Sequence, residues 1–160
     1  TFNLKESDAV VICRNVVETV EKVKQTQAEV RFVTTLESLP LVTDDSRLQQ
    51  LLINLLINAT KFTTEGVITL EVEKESDTVA LFSVTDTGCG IPLEKQKQIF
   101  NRFEKLNEGA QGTGLGLSIC QLIIEQVGGR IWIDHEYTEG ARFMFTHPII
   151  PVVNRKENTQ

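Results

Sequence analysis

Residues 51–63 read L-L-I-N-L-L-I-N-A-T-K-F-T. Leu51, Leu52, Leu55, Leu56 and Ala59 recur at the spacing of a buried helix. Asn54, Asn58 and Lys61 fall at i, i+4 and i+7 and line one face of that same helix. From first to last they span roughly 10 Å along the axis. A buried carboxamide without a partner costs about 1–3 kcal/mol. Two carboxamides and an ammonium in a row therefore need a shared polar partner, which an anionic ligand with a metal ion would supply. A polar stripe that simply faces water satisfies the pattern equally well, and this stretch alone leaves both readings open.

Working outward, the chain has 160 residues, enough for one domain with a sizeable core. Its 41% apolar and 24% charged content is ordinary for a globular protein. The net charge of −6 argues against non-specific nucleic-acid binding, because there is no basic excess to neutralise phosphates. Cys13, Cys89 and Cys120 form no C-x-x-C pair, so they read as buried thiols of a reducing compartment rather than a disulfide frame or zinc site. No apolar run approaches the ~20 residues a bilayer demands. The first residue is Thr1, which points to a piece of a longer protein.

The remaining segments give helices and strands in mixed order. A short strand is expected at 2–4 and an amphipathic helix at 8–24, with Ala9, Ile12, Val16, Val20 and Val23 recurring at helical spacing. Residues 29–35 and 41–43 read as strands, and Asp44, Asp45 and Ser46 as N-cap candidates for the helix through residue 62. Residues 66–74 and 78–86 form two more strands. In the second, Ala80, Phe82 and Val84 point one way and Asp86 continues the same side, an odd place for a carboxylate. A short charged helix is expected near 94–103 and a polar segment at 105–111. A second apolar helix follows at 115–127, with its periodicity in Ile119, Leu122, Ile123 and Gln126 and its stop at Gly128-Gly129. Strands at 130–134 and 140–146 close the unit, and a polar tail ends it. One helical layer on a mixed sheet, an α/β sandwich, is the architecture this order favours.

Two features carry potential chemistry. Gly112, Gly114 and Gly116 lead into a helix start, where backbone N–H groups freed of Cβ can hold phosphate oxygens, although a tight loop explains them as well. There is no G-K-[ST], and the spacing is not G-x-G-x-x-G after a strand, so neither a Walker A loop nor a dinucleotide fold is expected. Asp86, acceptor-only when ionised, can take a hydrogen bond from an exocyclic amine such as that of adenine, whereas the oxygen of guanine would repel it. Alone, Asp86 before Gly88 is equally a turn aspartate.

Together the motifs are specific. N-L-L-I-N-A-T-K-F-T at 54–63, D-T-G-C-G at 86–90, F-N-R-F at 100–103 and G-T-G-L-G-L at 112–117 stand in order. In this the chain resembles the ATP-binding catalytic domain of sensor histidine kinases, in the GHKL superfamily shared with gyrase, MutL and the large heat-shock chaperone ATPase. The resemblance covers residues 1–148, with 149–160 as a tail or linker, and it implies a Bergerat-type two-layer fold. By that resemblance, Asn58 holds a Mg²⁺ bridging the phosphates, Asn54 lies in the same shell and Lys61 neutralises phosphate charge. Asp86 reads adenine, with Phe62 and Ile91 against the ring and Gly88 and Gly90 allowing close approach. Lys105 is a lid position near the terminal phosphate, and Phe100 and Phe103 pack the lid. Gly112, Thr113, Gly114, Leu115, Gly116 and Leu117 form the phosphate-side helix start.

The resemblance further implies transfer of the γ-phosphoryl group to a histidine on a separate helical dimerisation domain, with a response regulator receiver domain as an indirect partner. It implies a cytoplasmic domain of a membrane-anchored receptor, without direct membrane or nucleic-acid contact. His135 and His147 lie in or beside closing strands and are not expected to be the acceptor. One rival is a hydrolysing clamp of the gyrase or MutL kind. Those relatives carry a Glu where this chain has Asn54, and a carboxamide cannot take a proton from water. The other rivals are a non-catalytic nucleotide-sensing module, whose damaged motif is not found, and a serine-directed kinase on the same fold.

Overall fold

The computed structural model describes residues 3–89 and 113–149, with the backbone alone at 113–116. In chain order the elements are β1 (Lys5–Asp8), α1 (Ala9–Val23), β2 (Glu29–Val33), β3 (Pro40–Thr43), α2 (Asp45–Phe62), β4 (Val67–Ser76), β5 (Val79–Asp86), α3 (Thr113–Gln126), β6 (Ile131–Ile133) and β7 (Ala141–Pro148). Five strands make one sheet in the order β2-β4-β5-β7-β6, with β1 and β3 as a separate antiparallel pair. The β2–β4 pairing is parallel and the rest are antiparallel, so the sheet is mixed, as expected.

Alternation sorts the sheet into two faces. Ile68, Leu70 and Val72 of β4, Ala80, Phe82 and Val84 of β5, and Phe143 and Phe145 of β7 are buried against the helices. Phe82 and Phe145 face each other across the β5–β7 ladder and stack at 4.5 Å. The opposite face, with Thr69, Leu81, Thr85 and Met144, is half-buried. The helices supply the matching stripes: Ala9, Ile12, Val16 and Val20 of α1, whose last apolar position, Val23, is exposed at the helix end, and Leu48, Leu51, Leu52, Leu55 and Leu56 of α2. The result is the two-layer α/β sandwich that the sequence implied.

Three expectations are corrected. The first strand is at 5–8, not 2–4. K-E-S-D has little intrinsic strand preference, and the ladder to β3, from Lys5↔Thr43 to Asp8↔Pro40, makes it one. In α3 the fully buried positions are Leu117, Cys120 and Ile124, while Leu122 is 41% exposed. This helix is apolar on nearly every side, so periodicity misjudged which side is inward. β7 extends to Pro148, and the backbone N–H of Ile149 donates to Thr78 O at 2.8 Å. The short helix near 94–103 and the segment at 105–111 lie outside the described residues.

Candidate functional site

α2 starts where Asp44 caps it. One carboxylate oxygen accepts from Arg47 N at 3.2 Å and the other from Asn3 N at 2.8 Å. Those backbone donors, Asn3 first, hold the Asp44 pKa below its usual value. With the helix so fixed, Asn54, Asn58 and Lys61 share an arc of roughly 60°. Their burial is graded: Asn58 is 8% exposed, Asn54 half-buried and Lys61 exposed. The stripe therefore holds both a buried position and one that faces water. The Asn54 side chain meets the Cys120 thiol of α3, whose pKa burial pushes up to about 12. The same thiol lies 3.8 Å from Leu51 O, so Asn54 stands on the α2–α3 seam. A cleft of about 340 Å³ opens on the other flank of α2, between Lys24, Thr26, Ile57, Thr60 and Lys61. It takes in Lys61 alone of the expected site residues.

Asp86 ends the central strand, 3% exposed, on the apolar side as the alternation required. Burial raises its pKa, and N–H donation from Gly88 and Ala141 and the Thr63 side chain oppose that rise. Gly88 N donates to Oδ1 at 2.8 Å and Ala141 N to the same oxygen at 3.2 Å. The turn-aspartate reading and the ligand reading are therefore compatible. Among the described residues both backbone donors converge on Oδ1, which leaves Oδ2 to accept from something else.

The turn after Asp86 is clamped to the end of α2. Cys89 N donates to Phe62 O at 3.2 Å. A Cβ on Gly88 would stand 2.2 Å from that same carbonyl oxygen, so only glycine fits. This contact joins the asparagine-bearing helix to the first glycine turn. Cys89 is exposed, against the expectation that all three thiols are buried; Cys13 and Cys120 are buried.

Sequence reasoning missed the loop behind Asp86. A Cβ on Gly140 would come 1.9 Å from Asp86 O, and Tyr137 Oη donates to that oxygen at 3.2 Å. The Arg142 guanidinium lies 4.3 Å over the Tyr137 ring and pairs with Asp134 at 3.3 Å. A glycine directly before a strand was the available signal, and the β5–β7 register could not be read from sequence.

Leu117 is buried in α3, and the backbone of 113–116 is helical from Thr113, so Thr113, Gly114, Leu115 and Gly116 do open a helix. Gly90, Ile91, Phe100, Phe103, Lys105 and Gly112 lie outside the described residues. Phe62 is half-buried at the last turn of α2. His147 is buried in β7, Nδ1 at 2.8 Å from Pro148 O and Nε2 at 3.0 Å from Thr43 Oγ1; burial lowers its pKa. His135 is exposed in the β6–β7 loop. Among the described residues no helix is long and apolar enough to cross a membrane, and no three His, Cys, Asp or Glu side chains gather for a metal.

Residues 43–151 match the family described as histidine kinase-, DNA gyrase B-, and HSP90-like ATPase. The adaptive-response sensory kinase SasA of Gloeothece citriformis is 42% identical over 113 residues, which cover 69% of this chain and 29% of that protein. The chain therefore spans about three tenths of the curated relatives it matches. Among solved structures, the catalytic domain of histidine kinase ThkA superposes with a TM-score of 0.82 at 34% identity, covering 94% of this chain and all of that one. ShkA, solved full-length in complex with AMPPNP, gives 0.84 at 28% identity, over 95% of this chain and 32% of that one.

Proposed function

The chain belongs to the histidine kinase-, DNA gyrase B- and HSP90-like ATPase family and has the form of a sensor histidine kinase's ATP-binding catalytic domain; from that premise we propose that it binds Mg-ATP between α2 and the start of α3 and delivers the γ-phosphoryl group to a histidine on a separate dimerisation domain. The observation that carries the reading is the Asp86 carboxylate, buried at the end of an apolar face with Oδ1 held by two backbone N–H groups. A carboxylate so fixed offers Oδ2 as an acceptor for an adenine amine and repels a base oxygen. Gly88, without a Cβ, lets the turn beside it press against the end of α2. ShkA's complex with AMPPNP supports a nucleotide at this fold.

Asn58 suits a divalent site as one neutral oxygen donor, the remaining positions going to phosphate oxygens and water. A Mg²⁺ held there would supply positive charge that neutralises the phosphates and eases departure of the diphosphate. Asn54 orients the same oxygens from the α2–α3 seam. Lys61 adds positive charge where the stripe meets water, and the backbone N–H groups at the start of α3 face the phosphates. Lys105, Gly90, Ile91 and Gly112 belong to the same proposed site. Phosphoryl transfer demands in-line placement and charge neutralisation more than covalent help from the protein. A carboxamide at Asn54 cannot act as a base toward water, which favours transfer over hydrolysis.

His147 has both ring nitrogens engaged and is unsuited to act as a nucleophile. By the same reading the acceptor is assigned to the dimerisation domain, with a response regulator downstream; ThkA is known in complex with the response regulator TrrA. The buried free thiols fit a reducing cytoplasm, where the domain would serve a membrane-anchored receptor. Incubation with radiolabelled ATP tests the assignment. The expected result is nucleotide binding without self-labelling, and label on an added dimerisation domain. Acid-labile label on this chain alone would contradict it.

A further inference from the structure

Thr63 closes α2 at its C-terminal cap and is 1% exposed. Its carbonyl accepts from Thr26 Oγ1 at 2.5 Å, so its main chain is satisfied. Its hydroxyl is not. Among the described residues, Thr63 Oγ1 is the buried side-chain polar atom without a hydrogen-bond partner. It stands close enough to the Asp86 carboxylate to favour its charge, yet it completes no hydrogen bond of regular geometry with it. It also lies against the glycine turn, where a Cβ added to Gly88 would come 2.6 Å from it.

An unpaired buried hydroxyl costs stability, and valine, of the same shape, would remove that cost. Beyond favouring the charge of Asp86, the fold makes no visible use of this oxygen, so its further use lies with something that enters the corner. The chemistry of that corner is incomplete without it. An ionised carboxylate only accepts, and can therefore recognise the amine of adenine but not N1, the ring acceptor beside it. A threonine hydroxyl can donate.

We propose that Thr63 is a second specificity-determining residue of the base site, its hydroxyl donating to adenine N1 directly or through one bound water. This rests on the reading of Asp86 as the base-recognising carboxylate. Together the two side chains present an acceptor and a donor to a base that offers a donor and an acceptor. The orphaned oxygen of the ligand-free chain then becomes satisfied on binding.

The test is to titrate the wild type, Thr63→Val, Thr63→Ser and Asp86→Asn with Mg-ATP and with Mg-1-deaza-ATP, which lacks the N1 acceptor. The wild type and Thr63→Ser are expected to favour ATP over the deaza analogue by about tenfold. Thr63→Val is expected to lose about tenfold for ATP and to bind both nucleotides alike. Its nucleotide-free melting temperature should equal or exceed that of the wild type, the opposite of what a structural hydroxyl predicts. Undiminished discrimination in Thr63→Val, with ATP binding impaired in Asp86→Asn, would overturn the role of Thr63 alone. A lowered melting point in Thr63→Val with both nucleotides weakened equally would do the same. ATP affinity unchanged in Asp86→Asn would remove the base site itself, and this proposal with it.

Discussion

At one end of the proposed site, Asp86 is fixed mostly by main chain. The N–H groups of Gly88 and Ala141 hold its Oδ1, the Tyr137 hydroxyl holds its carbonyl, and Gly140 packs directly against that carbonyl. At the other end, the α2 stripe passes from buried Asn58 to exposed Lys61, with long side chains reaching into water. The contrast follows from what each end has to do. Discriminating one base from another depends on a donor–acceptor pattern held without slack, which backbone contacts deliver. Neutralising phosphate charge depends on distance, and flexible side chains near water suffice. Changes at the rigid end should therefore be severe and base-specific, and changes at the open end graded and ion-dependent.

Gly140→Ala should have a large effect although it never touches ligand. Its Cβ would meet Asp86 O at 1.9 Å, forcing β5 or β7 to move. Overpacking of this kind costs about 1–3 kcal/mol. The expected result is a lower melting temperature and ATP binding weakened by tenfold or more. Unaltered ATP binding would mean that the loop behind Asp86 does not hold it.

Asn58→Ala comes next. Loss of one oxygen donor should weaken Mg-ATP about tenfold and leave metal-free ATP nearly unchanged, as calorimetry with and without EDTA would measure. Lys61→Met should cost only a few-fold, and the loss should shrink as salt rises, because an exposed charge is screened. A larger effect at Lys61 than at Asn58 would reverse the order in which the stripe is buried.

The smallest effect concerns stability and lies away from both ends. Burial lowers the folded-state pKa of His147 below its ordinary value of 6.5. Below that value the unfolded chain binds the proton more readily than the folded one, so stability falls as pH drops from 6.5 toward the folded pKa. His147→Gln should remove this part of the acid-side loss, read by urea midpoints across the range. An unchanged profile would mean that the histidine is not held in its neutral form.

The same contrast explains how far the sequence could be read. Alternation in β5 placed Asp86 at the end of an apolar face, and helical spacing placed Asn54, Asn58 and Lys61 together, because both signals are local and periodic. The parts of the corner that fix Asp86 are long-range. Ala141 lies 55 residues away from it and Tyr137 51; no local pattern announces a ladder between β5 and β7. α3 was read less well for another reason: a helix apolar around most of its circumference does not declare which side is inward, so Leu122 was expected inside although it is exposed, while Ile123 and the Cys120 thiol are buried as expected.

The central claim is that Asp86 recognises adenine through Oδ2 while Oδ1 is held by backbone. In Asp86→Asn the carboxamide oxygen must take the place of Oδ1 to satisfy the N–H groups of Gly88 and Ala141, which turns its NH₂ toward the base. Titrating Mg-ATP and Mg-ITP into wild type and variant side by side measures the consequence directly. The account predicts that the wild type prefers ATP by about a hundredfold or more and that the variant loses this preference or reverses it toward the base carrying an oxygen. Equal ATP affinity in both proteins, or a variant that still prefers ATP as strongly as the wild type does, would contradict it.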